Sequence, residues 1–359
     1  MDAIGNSRLQ ESIITGDPVL LDAIAQNDLS DADAGQIARM AAHLLIDLHR
    51  QNDKLQTSVV DILFKLATSS HPHLAAAGAN GLFPLLAERL SDAFDPAACR
   101  LYDLIFSWII DAGRHHPAGR AIDRALDRFG LKTADDLIHR KQRLLEPRPT
   151  DVPSAPECLK CIVLSRVSLG AEIAVTSPVI AKLRERFSRA DIVLIGHRMF
   201  ADLFSQIPAF SVRHFAYPPG KTLMDRLAGW LDVLAIVDAE IAGLEKSQYL
   251  IVDPDSRMTQ LGLLPLTPND HRYYFFESRS FRCRQADNLS VLTACWLQRQ
   301  FGGNEPGAFI QPPAIARRFA RSLHARLVPA DHTLTAVSLG VGGNDNKRLG
   351  IAFETSLLQ

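Results

Sequence analysis

The sequence predicts an α/β protein in two parts, an all-α domain followed by a parallel-sheet domain. Three observations predict it. Apolar residues keep helical spacing through residues 1–145, where few segments have strand character. Residues 146–157, EPRPTDVPSAPE, hold four prolines, which remove backbone donors and bias their predecessors toward extended chain, so this stretch reads as a linker. From residue 158 onward, short apolar runs alternate with helical patterns, the signature of βαβ units.

The helices follow in order. Ala34, Ile37, Met40, Ala41, Leu44, Leu45 and Leu48 share one helical face, as do Val59, Leu63 and Leu66. LAAAGANGLFPLLAERL, ACRLYDLIFSWIIDAG and AIDRALDRFG continue the pattern. Asp33, Asp95–Pro96 and Thr133 stand where helix starts fall, and Gly113 and Gly130 stand near ends. No repeat period is present, so the domain reads as stacked helical hairpins of no named solenoid class. His115 and His116 adjoin Pro117 and read as two exposed turn residues rather than a ligand pair. After the linker, CIVLS, DIVLIGH, SVRHFAY, QYLIV and RYYFFES read as strands. Val179–Phe187, Met199–Ile207 and Thr222–Leu244 read as the helices between them, with right-handed crossovers. Two further helical stretches, Asn288–Phe301 and Pro313–Leu327, lead to a last strand, LTAVSLG, and the turn VGGNDNKRLG.

Composition narrows the function. The chain has 359 residues, 39 Lys plus Arg against 40 Asp plus Glu, and a net charge of −1, which gives no electrostatic reason to expect nucleic-acid binding. No apolar run approaches the roughly 18 residues of a membrane span, and no signal peptide is visible at the N-terminus, so the expected location is cytoplasmic. Five cysteines do not suggest a disulfide framework. Cys158 and Cys161 form a lone CxxC without a partner pair for zinc, and Cys161 opens an apolar strand, so it reads as core.

The stretch VLSRVSLGAEIAVTSP carries the first candidate site. In an open parallel sheet, ligands bind beyond the carboxyl ends of strands. Arg166, Ser168 and Gly170 follow CIVLS at such an end. Gly170 admits close backbone approach, and the amides opening the next helix suit an anion. Glu172 stands there as a carboxylate at the rim of a crevice, placed to take a proton from a hydroxyl as general base or simply to favour a helix start. The stretch is no dinucleotide fingerprint.

Residues VLSRVSLGAEIAVTSPVIAKLRERFSRADIVLIG resemble the opening of glycosyltransferase family 9, the heptosyltransferases of lipopolysaccharide synthesis. That opening is a strand, a Gly-Asp loop, an apolar Pro-containing helix and a second strand. Counting from Pro178, Glu172 falls on the family's catalytic Asp and Ala171 on its Gly. VSLGVGGNDNKRLG resembles the phosphate loop of the family's second Rossmann-like domain, with Lys347 on the lysine that holds the donor phosphate and Gly342 and Gly343 on the residues lining the phosphates. Exposed amides of a Gly-Gly-Asn turn, with Lys347 and Arg348, suit a diphosphate, or form a glycine-rich turn beside solvated bases. The resemblance covers about residues 158–359 and implies a GT-B fold: a Rossmann-like acceptor-side domain at 158–330 and the start of a donor-side domain at 331–359, whose remainder is missing. On that reading this chain alone transfers little sugar.

Other polar groups fall at strand ends. Asp253, Asp255, Ser256, Arg257 and Gln260 follow QYLIV and either bind sugar hydroxyls or close a turn by an ion pair. Tyr217, Lys221 and Arg226 follow the third strand, and Glu277, Arg279, Arg282 and Arg284 follow the fifth; the latter either hold a phosphorylated acceptor or are solvated. The resemblance therefore implies transfer of a sugar from a nucleotide-sugar to a glycan or lipid-linked acceptor, with peripheral membrane contact and no metal or other cofactor. The alternative is a helical scaffold that binds a protein partner and carries a degenerate sugar-binding domain.

Overall fold

The structure, a computed structural model, describes residues 3–52, 54–146, 152–217, 222–284, 286–329, 332, 334–335 and 350–358. It divides into a compact unit, Met1–Gln311, and a smaller one, Pro312–Gln359.

In the first unit, helices come first: α1 (Ala3–Thr15), α2 (Pro18–Gln26), α3 (Asp31–Asn52), α4 (Thr57–Ala67), α5 (Pro72–Asn80), α6 (Arg89–Asp92), α7 (Pro96–His115), α8 (Arg120–Arg128) and α9 (Ala134–Leu145). Side-chain caps set several starts. Asp17 accepts from the Val19 amide, Asp95 from the Ala98 amide, and Thr133 forms a capping box with Asp136. A π-helical stretch, Gly81–Glu88, joins α5 to α6 and contains Pro84. Proline has no N–H for the regular ladder, so the backbone widens around it.

The sheet has five parallel strands: β1 (Lys160–Leu164), β2 (Asp191–Gly196), β3 (Phe210–His214), β4 (Tyr249–Asp253) and β5 (Tyr273–Phe275), in the order β3-β2-β1-β4-β5. All five lie where the apolar runs predicted them, and among the described residues no strand precedes residue 160. Helices α10 (Leu169–Ala171), α11 (Ser177–Arg186), α12 (Leu223–Ile241) and α13 (Leu289–Phe301) belong to the sheet region. The helix expected over Met199–Ile207 is instead a short 3-10 turn, Arg198–Ala201. Pro208 disfavours helical backbone at Ile207, and little chain separates β2 from β3.

Both sheet faces are buried, as parallel sheets require. Cys161, Val163, Ile192, Leu194, Leu250 and Val252 pack with α11 and α13 on one face. The alternate residues Ile162, Leu164, Val193, Ile195 and Ile251 join α12 and the N-terminal helices in one continuous core. The chain therefore does not build two separately packed bodies on either side of the proline stretch. Arg128 on α8 grips Asp238 on α12 through both guanidinium nitrogens, at 2.7 and 2.6 Å. Arg140 on α9 bonds Asp270 and the Gly262 carbonyl.

In the second unit, α14 (Ala314–Leu327) and α15 (Ile351–Leu358) are helical. The expected strand LTAVSLG has only its first two residues among those described, and Gly342, Gly343, Lys347 and Arg348 lie outside them. Among the described residues no helix is long and apolar enough to cross a membrane.

Candidate functional site

The strand order reverses direction between β1 and β4, so the carboxyl ends of these strands flank the sheet's topological switch point. Gly196 at the end of β2 permits a close approach there: a Cβ on it would stand 2.5 Å from Ser165 Cβ. Ser256 Oγ, after β4, donates to the Ser165 carbonyl at 2.7 Å and ties the two strand ends together.

Beyond Ser165 the chain turns sharply. Val167 has φ +69°, a left-handed conformation that crowds a β-branched side chain. The turn aims successive amides at one point. Glu172 Oε1 accepts from Ser165 Oγ at 2.5 Å, Arg166 N at 2.7 Å and Val167 N at 3.1 Å. Consecutive backbone N–H groups of this kind form a nest for an anion, and here the anion is the chain's own carboxylate. A π-helical stretch, Glu172–Thr176, bridges α10 and α11 ahead of Pro178 and begins at this residue. Burial pushes the Glu172 carboxyl above its ordinary range, while hydrogen bonds from Ser165 and the two amides pull the other way.

The sequence places Glu172 at the sheet's carboxyl edge, and the structure agrees. The expected opening to a crevice is absent: Glu172 is 0% exposed. The nest draws the side chain inward, so the groups facing solvent are Val167, Ser168, Leu169 and Gly170. A Cβ on Gly170 would meet nothing within 4 Å, so no close packing demands glycine there.

The β4 acids have separate surroundings. Asp253 is buried and accepts from Ser256 N at 2.7 Å and from the Thr259 and Tyr273 hydroxyls, each at 2.5 Å. Burial raises its carboxyl to about 6 despite these bonds. Asp255, with φ +66°, accepts from Ser278 Oγ at 2.8 Å and pairs with Arg279. Burial would raise its pKa, but Arg279, Arg166 and Lys141 outweigh that and hold it below the ordinary range. Arg166 Nη1 donates to the same Ser278 hydroxyl at 2.9 Å, so Arg166 and Asp255 meet through Ser278. The Asp-Pro-Asp turn is closed by an ion pair, but its cation is Arg279 of the loop after β5 and not the turn's own Arg257. Arg257 is half-buried at the start of a 3-10 turn.

The loop after β5 anchors the helices. Arg279 donates to the Ser91 carbonyl and Arg282 to the Phe94 carbonyl. Glu277 meets Lys141 of α9 at 2.6 Å, and Lys141 also meets Asp103 of α7 at 2.6 Å. Glu277 and Arg279 are therefore buried rather than solvated, while Arg282 and Arg284 are exposed. Arg226 lies over the Phe83 ring, Tyr217 is half-buried, and Lys221 lies outside the described residues. Sequence reasoning missed Lys141 and Asp103. The available signal was that Lys141 shares one helical face with the apolar Leu137 and Leu144.

The remaining candidates are local. His115 Nδ1 lies 2.8 Å from the Asp111 carbonyl, and His116 Nδ1 accepts from the Ala118 amide. Cys158 and Cys161 are buried with sulfurs 3.8 Å apart. Cys283 and Cys295 form a disulfide, which the odd cysteine count gave no reason to expect. Among the described residues no three His, Cys, Asp or Glu side chains are grouped to hold a metal ion.

The fold and site thus define an α/β protein with a Rossmann-like parallel sheet and a polar switch point. No protein-family model, curated protein or solved structure matches the chain.

Proposed function

We propose that the protein is a nucleotide-sugar-dependent glycosyltransferase whose acceptor-side half is the sheet region, with Glu172 as the general base. The observation that carries this reading is a single carboxylate of raised pKa at the carboxyl end of β1, beside the switch point. A base with a raised pKa is better matched to taking a proton near neutral pH than an ordinary glutamate. On this reading the Ser165–Gly170 turn opens for an acceptor hydroxyl to reach Glu172, and Val167, Ser168, Leu169 and Gly170 are the residues of it that face solvent. Arg166, tethered to Ser278 at 2.9 Å, is the nearby cation for a charged acceptor group. Donor phosphates fall to Gly342, Gly343, Lys347 and Arg348 by the family resemblance, with no metal or other cofactor in the scheme. The acceptor on this reading is a glycan or lipid-linked sugar, met from the cytoplasmic side.

A second reading has its own observation. Asp253, Asp255, Glu277 and Arg279 spend their charge on internal bonds, which suits a helical scaffold with a sugar-binding remnant. Nucleoside diphosphate release from a panel of sugar nucleotides, by the protein isolated at its native length, separates the two. Release that depends on Glu172 supports the transferase; no release and no nucleotide binding supports the scaffold.

A further inference from the structure

A cavity of ≈ 350 Å³ opens between α7, α9 and the loop after β5, within the roughly 300–1,000 Å³ range of small-molecule sites. Its two sides differ. Leu104, Ile138 and Leu145 give an apolar wall. The polar side holds Asp103, Lys141 and Glu277, with Arg100 and Gln142 exposed at the rim.

The formal charges lining the cavity cancel. Lys141 is 3% exposed and sits 2.6 Å from each of two carboxylates, and Arg100 at the exposed rim is the second cation. An ion entering the cavity gains no net Coulomb attraction and loses its hydration. Hydrogen-bonding capacity is nevertheless left over. Lys141 takes Asp103 Oδ1, leaving Oδ2 without a hydrogen bond among the described residues. The Arg100 guanidinium and the Gln142 amide likewise have no partner among the described residues, so donors and acceptors both face the space. A ligand with many hydroxyl groups and one apolar face satisfies such a set, because each hydroxyl both donates and accepts.

We propose that this cavity binds a neutral monosaccharide, held by Asp103, Arg100 and Gln142 against the Leu104–Ile138–Leu145 wall. The proposal does not rest on the transferase reading, since none of these residues touches the Glu172 turn.

Saturation-transfer NMR on the full chain tests it with glucose, galactose, mannose and N-acetylglucosamine, and with n-butylamine and inorganic phosphate as charged probes. At least one neutral sugar is expected to bind at millimolar concentration, with both charged probes silent. Arg100→Ala and Gln142→Ala, on exposed rim residues, should each weaken that sugar about tenfold, equivalent to about 1.4 kcal/mol, with no change in melting temperature. Glu172→Gln should leave sugar binding intact whatever it does to turnover, which keeps this site's fate separate from the transferase reading. The proposal is overturned if no sugar gives a signal, if a charged probe binds in its place, if both rim variants bind as the wild type does, or if Glu172→Gln abolishes binding.

Discussion

Replacing Glu172 with alanine empties the nest at the end of β1. Two donors lose their acceptor, Ser165 Oγ and Arg166 N, at 2.5 and 2.7 Å; Val167 N, 3.1 Å from Glu172, keeps Ser165 Oγ at 2.9 Å. Hydrogen bonds to a charged group contribute about 1.5–3 kcal/mol each, but they do not add fully when they share one acceptor. The carboxylate's own burial cost, visible in its raised pKa, offsets part of the sum. Val167 is 36% exposed, so water can replace one bond. The net loss should be about 2–4 kcal/mol, or roughly 4–8 °C in melting temperature at about 2 °C per kcal/mol for a large domain. Glu172→Gln retains an acceptor oxygen and should cost less than half as much. Calorimetric melting of wild type and both variants reads this directly. Added acetate or formate should recover part of the alanine loss, because the emptied nest still offers the Arg166 amide and the Ser165 hydroxyl to an anion. An alanine variant that melts with the wild type would refute the claim that the carboxylate organises this turn.

Lys141→Met leaves Asp103 and Glu277 buried without the ammonium that lies 2.6 Å from each; urea unfolding should show a loss of about 3–5 kcal/mol, and less than 1 kcal/mol would count against the network as a tie between helices and sheet. Folding raises Asp103 and Asp253 from 3.8 to about 7 and about 6, in both cases chiefly through burial. The native state thus holds protons that the unfolded chain releases, and the stability these groups contribute falls as pH rises from about 4 to about 7. Asp255, held low, runs the other way and contributes stability that acid removes. Asp103→Asn should therefore bring the unfolding free energies at about pH 5 and about pH 7 closer together than in the wild type; an unchanged gap would refute the Asp103 assignment. Val167→Gly relieves a left-handed β-branched residue with φ +69° and should gain about 0.5–1 kcal/mol after glycine's entropy cost, so a drop in melting temperature would contradict the strain.

The sheet was legible because each strand is a short apolar run bounded by polar or turn residues, and parallel strands buried on two faces need such runs. Pro208 was a local signal against the Met199–Ile207 helix, and the periodicity of that stretch outweighed it wrongly. The interior position of Glu172 was not legible. It depends on a left-handed turn at Val167, which no residue preference announces, and on a π stretch set by Pro178 in the following helix. The pairing of Asp255 with Arg279 was equally hidden, since the partners lie on different strand ends and meet only once β5 is placed beside β4. The shared core of helices and sheet was masked by the proline stretch, whose composition reports a connection and not the packing on either side of it.

The most direct test of the account is nucleoside diphosphate release from sugar nucleotides by the wild-type protein and its Glu172→Gln variant, both isolated at native length, with melting recorded on the same samples. The account predicts release by the wild type and a fall of about 10²–10⁴-fold in the variant, the range of a positioned general base, while melting falls by only a few degrees. Equal release by the two proteins, or none by either, would contradict it.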